Sequence, residues 1–239
     1  MIKHIYLGFL NGIDETEGWR WYLRYHSKEV MRFFGPWLRR YETFKVLPPP
    51  PEAKPFGAVG GYFTELWYTS IEEFNEAKAA QRPYTFPEWV KQSPPEAIAA
   101  AKTIVPVMPT EDFLGKEPTP EEKHILRWCR SIKYPQGVTL ADGEEWYLKV
   151  HSQEVKQQIG LLRYVSHRNL NPSPINTPWV RTEELWYEDF KTWHRAVIES
   201  PPKYTSPPWG NIAPFMDIAS VFIGYKPFVD FLRDNPLIP

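Results

Sequence analysis

The pattern of hydrophobic and polar positions predicts the same order of elements in each half of the chain: strand, helix, strand, strand, helix, strand. The predicted strands are 4–10, 38–46, 62–68 and 105–113 in the first half, and 124–129, 162–168, 181–187 and 218–225 in the second. Helix starts are predicted where Ser70 precedes Glu73, near Thr16, and where Asp142 precedes Glu145, since such pairs satisfy free backbone N–H groups. The strand over 105–113 is weakened by Pro109.

The two halves are repeats of one another. Matched blocks occur in the same order at 3–5 and 123–125, 21–30 and 146–155, 40–41 and 163–164, 65–68 and 184–187, and 84–89 and 204–209. Their spacing stays at roughly 120 residues, as in an internal duplication. The sequence therefore predicts one repeat over 1–115, a second over 121–239, and a linker over 116–120 that contains two prolines.

The repeated order defines the fold class. It is the split βαβ arrangement of ferredoxin-like folds, in the α+β class. A four-stranded sheet with helices on one face leaves its other face bare, and two copies can bury these faces against each other. We therefore expect two tandem ferredoxin-like βαββαβ repeats forming a pseudo-dimeric α+β barrel around a site for a small molecule.

Composition narrows the range of partners. A net charge of -1 and a pI near 6.6 provide no basic surface for nucleic acid or an anionic membrane. Aromatic residues make up 16% of the chain, including 11 Trp, which suits an aromatic-lined pocket. The N-terminus lacks the pattern of a signal peptide, and the single cysteine, Cys129, is expected to be a buried, inert thiol. A cytoplasmic protein is the expectation.

The repeated motifs resemble the EthD family of dimeric α+β barrel proteins. The resemblance is carried by Trp-Tyr-Leu-x-x-His-Ser-x-Glu-Val at 21–30 and 146–155, by Gly35 and Gly160, by Arg-Tyr before a strand, and by Glu-Leu-Trp-Tyr before a helix. It implies that the tandem chain makes within itself the barrel that single-repeat members make by dimerising. The wider superfamily includes cyclases, dehydratases, isomerases, cofactor-free oxygenases and haem-containing branches, so the resemblance implies a fold more than a reaction.

One histidine recurs at the same place in each repeat, as His26 and His151. The family pattern also has its histidine there. A neutral imidazole is a natural general acid or base near pH 7. The alternative is that each histidine tethers a helix end through a hydrogen bond, which the recurrence favours because one catalytic centre needs only one base.

A carboxylate and an indole recur on the third strand of each repeat. The pairs are Glu65 with Trp67 and Glu184 with Trp186. Alternation along a strand places both side chains of a pair on one face. A carboxyl group held against an aromatic ring in a dry pocket has a raised pKa that suits proton transfer. The alternative is a salt bridge with Arg40 or Arg163 on the neighbouring strand.

Further side chains are candidates for binding a substrate. They are Arg40, Tyr41, Trp67, Arg163, Tyr164, His167, Trp186 and Trp209. Arginine and tyrosine could stabilise a developing anion, or simply pair at the surface. Trp89 and Trp209 lie in loops that could close over a ligand or pack beneath the loops, and His194 is expected to face solvent.

These residues lead to three hypotheses of function. The first is a cofactor-independent lyase, dehydratase or isomerase that transfers protons on an aromatic or hydrophobic oxygenated small molecule, with catalytic residues His151, Glu184, His26 and Glu65. The second is an oxidoreductase of the same barrel class, cofactor-free or with haem held by His26, His151 or His167. The third is a non-catalytic protein that binds aromatic ligands. Association of two such barrels into a homodimer is a further possibility that the sequence leaves undecided.

Overall fold

The computed structural model describes residues 1–8, 14–58, 60–82, 102–104, 106–116, 125–170, 179–210 and 216–233. The strands are β1 (Ile2–Gly8), β2 (Arg40–Leu47), β3 (Tyr62–Tyr68), β4 (Lys102–Ile104), β5 (Pro106–Leu114), β6 (Leu126–Lys133), β7 (Arg163–Asn169), β8 (Arg181–Tyr187), β9 (Asp217–Gly224) and β10 (Val229–Asp230). The α-helices are α1 (Glu15–Trp21), α2 (Ser27–Phe34), α3 (Ile71–Ala80), α4 (Leu140–Trp146), α5 (Ser152–Val155) and α6 (Phe190–His194). Three π-helical turns (Tyr22–His26, Tyr147–His151, Arg195–Glu199) and one 3-10 helix (Pro51–Phe56) complete the described elements.

The predicted α+β class is confirmed, and so is the strand, helix, strand, strand, helix, strand order of each repeat. The third strands lie at the predicted positions, Tyr62–Tyr68 and Arg181–Tyr187. The weak fourth strand of the first repeat is present as β4 and β5. No helix in the described part of the chain has the length and apolar composition needed to cross a membrane.

The chain forms two compact units whose bounds cut across the two sequence repeats. Unit 1 contains residues 1–45, 61–108 and 227–239, and unit 2 contains residues 46–60 and 109–226. Strand β5, which precedes the linker, is divided between the units, because its residues from Pro109 onward belong to unit 2. The C-terminal strand β10 belongs to unit 1. The linker residues 117–120 lie outside the described part.

Unit 1 is built on an antiparallel sheet in the order β4-β1-β3-β2, with β10 paired to β2. Apolar side chains from this sheet and from α2 and α3 are buried: Ile5, Phe34, Tyr41, Phe44, Tyr68 and Ala77. Strand register places Ile5 and Phe44 on one face of the sheet and Tyr41 and Tyr68 on the other. Burial on both faces supplies the driving force that orders these elements.

Unit 2 is built on a sheet in the order β9-β6-β8-β7-β5, and the last residues of β2, Val46 and Leu47, pair with β9. Its main core consists of Ala53, Leu126, Trp128, Val155, Tyr164, Leu185, Tyr187, Trp193, Ala196, Val197 and Phe222. Trp128 lies parallel to Phe222 and edge-on to Trp193, so large rings fill the space between sheet and helices.

The register of the strands corrects one of the predicted repeat matches. Lys3 lies opposite Trp67, and Arg127 lies opposite Trp186. Since Trp67 and Trp186 are equivalent, Lys3 corresponds to Arg127 and not to Lys123. The first strand of the second repeat accordingly runs over Leu126–Lys133 and not over 124–129. The short match between 3–5 and 123–125 was a coincidence of composition, and 123–124 lie outside the described residues.

The helix starts also differ in part from the prediction. The Ser70 side chain caps α3 by accepting from Glu73 N, as predicted. The first helix of each repeat begins earlier than predicted, with Asp14 capping α1 and Thr139 capping α4. Asp142 is therefore the third residue of its helix, where its carboxylate accepts from the Thr139 hydroxyl, so the capping pair is Thr139 with Asp142.

We expect Gly57→Ala to destabilise the protein. Gly57 has φ +64°, and a Cβ placed there would lie 2.0 Å from the Ile218 carbonyl oxygen, so the substitution meets both backbone strain and a clash with backbone. The free energy of unfolding in urea should fall by about 2 kcal/mol or more. Gly60→Ala is the matched control, because nothing lies within 4 Å of its Cβ position. Equal stability of the two variants would contradict this account of the turn.

Candidate functional site

The recurring histidines both end a π-helical turn. The turns are Tyr22–His26 and Tyr147–His151, and each follows directly on an α-helix. The wider turn brings the histidine over the tryptophan five residues earlier, with ring centroids 4.9 Å apart for Trp21 and His26 and 5.0 Å apart for Trp146 and His151. Isolated π-turns are rare and occur frequently at functional sites. The spacing in Trp-Tyr-Leu-x-x-His is the sequence signal for this geometry.

His151 is enclosed by aromatic rings. Its side chain is stacked on Trp146 and also on Tyr204, at 5.5 Å, and the residue is only 6% exposed. Neither ring nitrogen has a hydrogen-bond partner in the part of the chain that the structure describes. Burial lowers the pKa of His151 to about 4, and the Glu183 charge only partly offsets this. The imidazole is therefore neutral at pH 7 and has both nitrogens available.

A fully buried carboxylate, Glu183, lies on the sheet beneath His151. The hydroxyls of Tyr147 and Tyr164 both donate to Glu183 Oε1 at 2.7 Å, and Arg130 Nη2 lies 2.5 Å from Oε2. Burial alone would raise the pKa of Glu183, but Arg130, then His151 and the two tyrosines, outweigh it and lower the pKa. The carboxylate is therefore ionised, and it holds a negative charge in the interior of unit 2.

The hydrogen bonds continue from Glu183 to a second buried cation. Tyr147 OH lies 2.8 Å from Ser166 Oγ, which accepts from Arg181 Nη1 at 3.1 Å. Arg181 is 0% exposed and bonds both oxygens of Glu144, at 2.8 and 2.7 Å, and those of Glu111. Burial, followed by the Glu183 charge, raises the pKa of Tyr147 well above its ordinary range. The tyrosine thus stays protonated and can serve as a donor.

Unit 1 has the same scaffold without the charges. Tyr22 OH lies 3.1 Å from Tyr41 OH, 2.7 Å from Thr43 Oγ1 and 2.9 Å from Thr64 Oγ1. Strand register makes Thr64 the equivalent of Glu183, and Tyr6 the equivalent of Arg130. Among the described residues, the charged form of this cluster thus belongs to unit 2, and unit 1 has neutral hydroxyls in its place.

The predicted pairs of glutamate and tryptophan lie on the other face of each sheet. Glu184 accepts from Arg127 Nη2 at 2.8 Å and from Trp186 Nε1 at 3.2 Å, and its Oε1 lies 3.0 Å from His167 Nε2. In unit 1, Lys3 Nζ donates to Glu65 at 3.1 Å. Each pair shares one face, as the alternation predicts. The ion-pair partners are Lys3 and Arg127 on the first strand of each repeat.

The two arginines expected to pair with these glutamates contact other carboxylates. Arg40 donates to Glu42 at 2.7 Å and Arg163 to Asp112 at 3.2 Å. Each guanidinium also lies over an indole ring, 5.2 Å from Trp67 and 5.0 Å from Trp186. A cation over a tryptophan face is favourable, so in each unit the arginine and the tryptophan form a packed pair in which ring and charge stabilise each other.

The structure does not bring His151 and Glu184 together. His151 is on the helical side of the unit 2 sheet, with Glu183, whereas Glu184 points to the opposite face. Sequence reasoning selected Glu184 because it recurs in both repeats, and it missed Glu183, Arg130 and Tyr147. One feature of the sequence could have pointed to Glu183. It stands directly before the repeated Glu-Leu-Trp-Tyr block, where the first repeat has Thr64.

A cavity of about 770 Å³ opens beside His151 in unit 2. Trp146, which stacks on His151, and Val150, which precedes it, both line this cavity. Trp209 forms a second wall, 5.2 Å from Trp146 and inclined at 73°. The remaining lining residues are Gln136, Gly137, Val138, Asp142, Glu145, Lys149, Thr205, Ser206 and Pro208. Trp209 is thus placed at a pocket, while its counterpart Trp89 lies outside the described residues.

The haem alternative needs a histidine with a ring nitrogen that is free to bind iron. No histidine lines the described cavity, His167 Nε2 is held by Glu184, and His151 is covered on both sides by rings. Within the described ranges no three His, Cys, Asp or Glu side chains are grouped as metal ligands. The haem alternative therefore stays a prediction.

Comparison with known families gives a match to the first part of the chain. The sequence model of the chalcone isomerase N-terminal domain matches residues 1–98. This is not the EthD family that the repeated motifs resemble, so that resemblance stays a prediction. No curated protein matches the chain.

Three solved structures illustrate the similarity of fold. An anthrone oxidase-like protein has 9% identity, a TM-score of 0.48 and coverage of 94% of this chain and 92% of its own. A mutant chlorite dismutase from Candidatus Nitrospira defluvii has 7% identity, a TM-score of 0.43 and coverage of 92% and 90%. An encapsulated DyP-type peroxidase from Mycobacterium smegmatis has 12% identity, a TM-score of 0.45 and coverage of 100% and 96%. Similarity at this level assigns no activity.

We expect Glu183→Gln to destabilise unit 2 severely. The change leaves the charge of Arg130 buried without its counter-ion, which costs about 3–5 kcal/mol. The double variant Glu183→Gln with Arg130→Met should recover at least half of that loss, because no unpaired charge remains. Urea unfolding measures both, with Glu145→Gln at an exposed ion pair as the control. A Glu183→Gln protein as stable as the wild type would contradict the assignment of an ionised Glu183.

Proposed function

We propose that the protein is a cofactor-independent isomerase or lyase that transfers protons on an aromatic, oxygenated small molecule bound in unit 2. The observation that carries the proposal is His151: a buried, neutral imidazole, with no hydrogen-bond partner among the described residues, stacked against the wall of an aromatic-lined cavity. Buried polar groups without partners are uncommon and call for an explanation. In this proposal a substrate group is the missing partner and reaches the imidazole past the lining residues Trp146 and Val150.

The chemistry needs no co-reactant. In an isomerisation a proton leaves one atom of the substrate and returns at another, so one acid–base group can perform both steps and the atoms balance. Neutral His151 would accept the proton, and the Glu183 carboxylate would stabilise the imidazolium that forms.

The family match supports an isomerase over a dehydratase. The matched domain is named for chalcone isomerase and covers residues 1–98, which include the π-helical turn ending at His26. Because the match lies on the first repeat, a working site around His26 is the direct competitor of the site around His151. The two histidines therefore form a matched pair for mutagenesis.

A non-catalytic protein that binds aromatic ligands is the second candidate. It is favoured by the position of His151, which stacks on a cavity wall residue but is not itself a lining residue. If this function is the true one, Trp146 and Trp209 matter for affinity and His151 does not. The two functions thus differ in their dependence on the imidazole.

The test is turnover of a panel of hydroxylated aromatic enones, chalcones included, followed by absorbance. General acid–base catalysis contributes about 10²–10⁴ in rate, so His151→Gln should lower kcat by at least about 100-fold. His26→Gln should leave kcat within about threefold, and Trp209→Ala should mainly raise KM. Loss of activity in His26→Gln alone would place the reaction in unit 1. Full activity in both variants would refute acid–base catalysis by either histidine.

A further inference from the structure

The cavity beside His151 has two aromatic walls set almost at a right angle. The Trp146 and Trp209 rings are 5.2 Å apart and inclined at 73°, and Tyr134 lies edge-on to Trp209 at 5.9 Å. A flat ring stacked on one indole meets the edge of the other, and both arrangements are favourable. The apolar residues Val138, Val150 and Pro208 complete the walls. The shape thus suits a planar aromatic ligand.

The charges around this cavity are unequal. Its charged lining residues are Asp142, Glu145 and Lys149, which sum to a formal charge of -1. Lys149 Nζ donates to Glu145 at 2.7 Å, so the cation of this rim is already paired within it. The Asp142 carboxylate, which accepts from the uncharged Thr139 hydroxyl, adds a further negative charge. An anionic ligand would meet net repulsion there.

Uncharged hydrogen-bonding groups supply the remaining polarity. Gln136, Thr205 and Ser206, which carry an amide and two hydroxyls, are among the residues that line the cavity. Two hydrogen bonds hold the loop that contains Thr205 and Ser206, because Thr205 N donates to both carboxylate oxygens of Glu154 at 3.0 Å. Fixed neutral donors and acceptors select ligands that carry hydroxyl or carbonyl oxygens.

From these observations we infer that the cavity selects uncharged planar aromatics bearing hydroxyl or carbonyl groups and rejects their carboxylate analogues. The inference rests on the proposed function for the identification of this ligand as the substrate. It concerns binding, however, and so can be tested without turnover. Discrimination resides in Asp142 and Glu145, which repel an anion, and affinity resides in the two indoles.

The experiment compares 2-naphthol with 2-naphthoate, which share one ring system and differ in charge at pH 7. Isothermal titration calorimetry of the full chain at low ionic strength should show 2-naphthol binding at least tenfold more tightly. The double variant Asp142→Asn with Glu145→Gln turns the rim charge from -1 to +1 and should shift the ratio of the two Kd values about tenfold toward 2-naphthoate. The amide introduced by Asp142→Asn keeps an oxygen that can accept from Thr139, so the start of α4 stays capped.

A matched control changes the net charge equally without changing the cavity. Glu15→Gln with Glu17→Gln removes two exposed carboxylates of unit 1 and should leave the Kd ratio unchanged. Trp209→Ala should weaken both ligands at least fivefold. Equal binding of the two ligands, tighter binding of 2-naphthoate, or no binding of either would overturn the inference. If charge discrimination is found and His151→Gln keeps full turnover, the proposed function fails while this inference stands.

Discussion

The ion pair between Glu183 and Arg130 is the interaction on which the candidate site depends. A carboxylate that is 0% exposed is stable as an anion only when a cation and hydrogen-bond donors surround it. Arg130, Tyr147 and Tyr164 fill these roles, and each comes from a different element of unit 2. The hydrogen bond from Tyr147 to the paired Glu183 joins the π-helical turn to the sheet, and with it fixes the position of His151.

Internal duplication explains how such a costly arrangement can exist. Both units keep the stacked Trp–His pair and the buried tyrosines on the same scaffold. Unit 1 has neutral hydroxyls where unit 2 has Glu183 and Arg130, so its cluster needs no buried charge. One repeat can thus maintain the fold with ordinary hydrogen bonds while the other holds an electrostatically demanding centre, a division typical of functional sites.

The prediction from sequence succeeded where periodicity and recurrence carry the information. Strand β3 and its counterpart β8 lie where alternation places them, and Ser70 caps its helix. It failed at the first strand of the second repeat, because three matching residues were weighed above strand register. The catalytic role predicted for Glu184 stays a prediction. The structure places Glu184 on the face opposite His151, and recurrence alone cannot say which face the helices cover.

The properties of His151 depend on contacts that are distant in sequence. Its low pKa arises from burial between Trp146 and Tyr204, and Tyr204 lies far along the chain, beyond β7 and β8. No local pattern encodes that enclosure. What the sequence did contain was the five-residue spacing between tryptophan and histidine, which indicates the π-helical turn once the geometry is known.

The most direct test of the site is an NMR titration of the histidine ring nitrogens between pH 4 and 8, with the His151 signals assigned by their loss in His151→Gln. We expect His151 to stay neutral from pH 8 to below pH 5 and to take up a proton only near its lowered pKa of about 4. A His151 that titrates near its ordinary value of about 6.5 would show that the ring is solvated, and would contradict the buried, unpartnered imidazole on which the site is built.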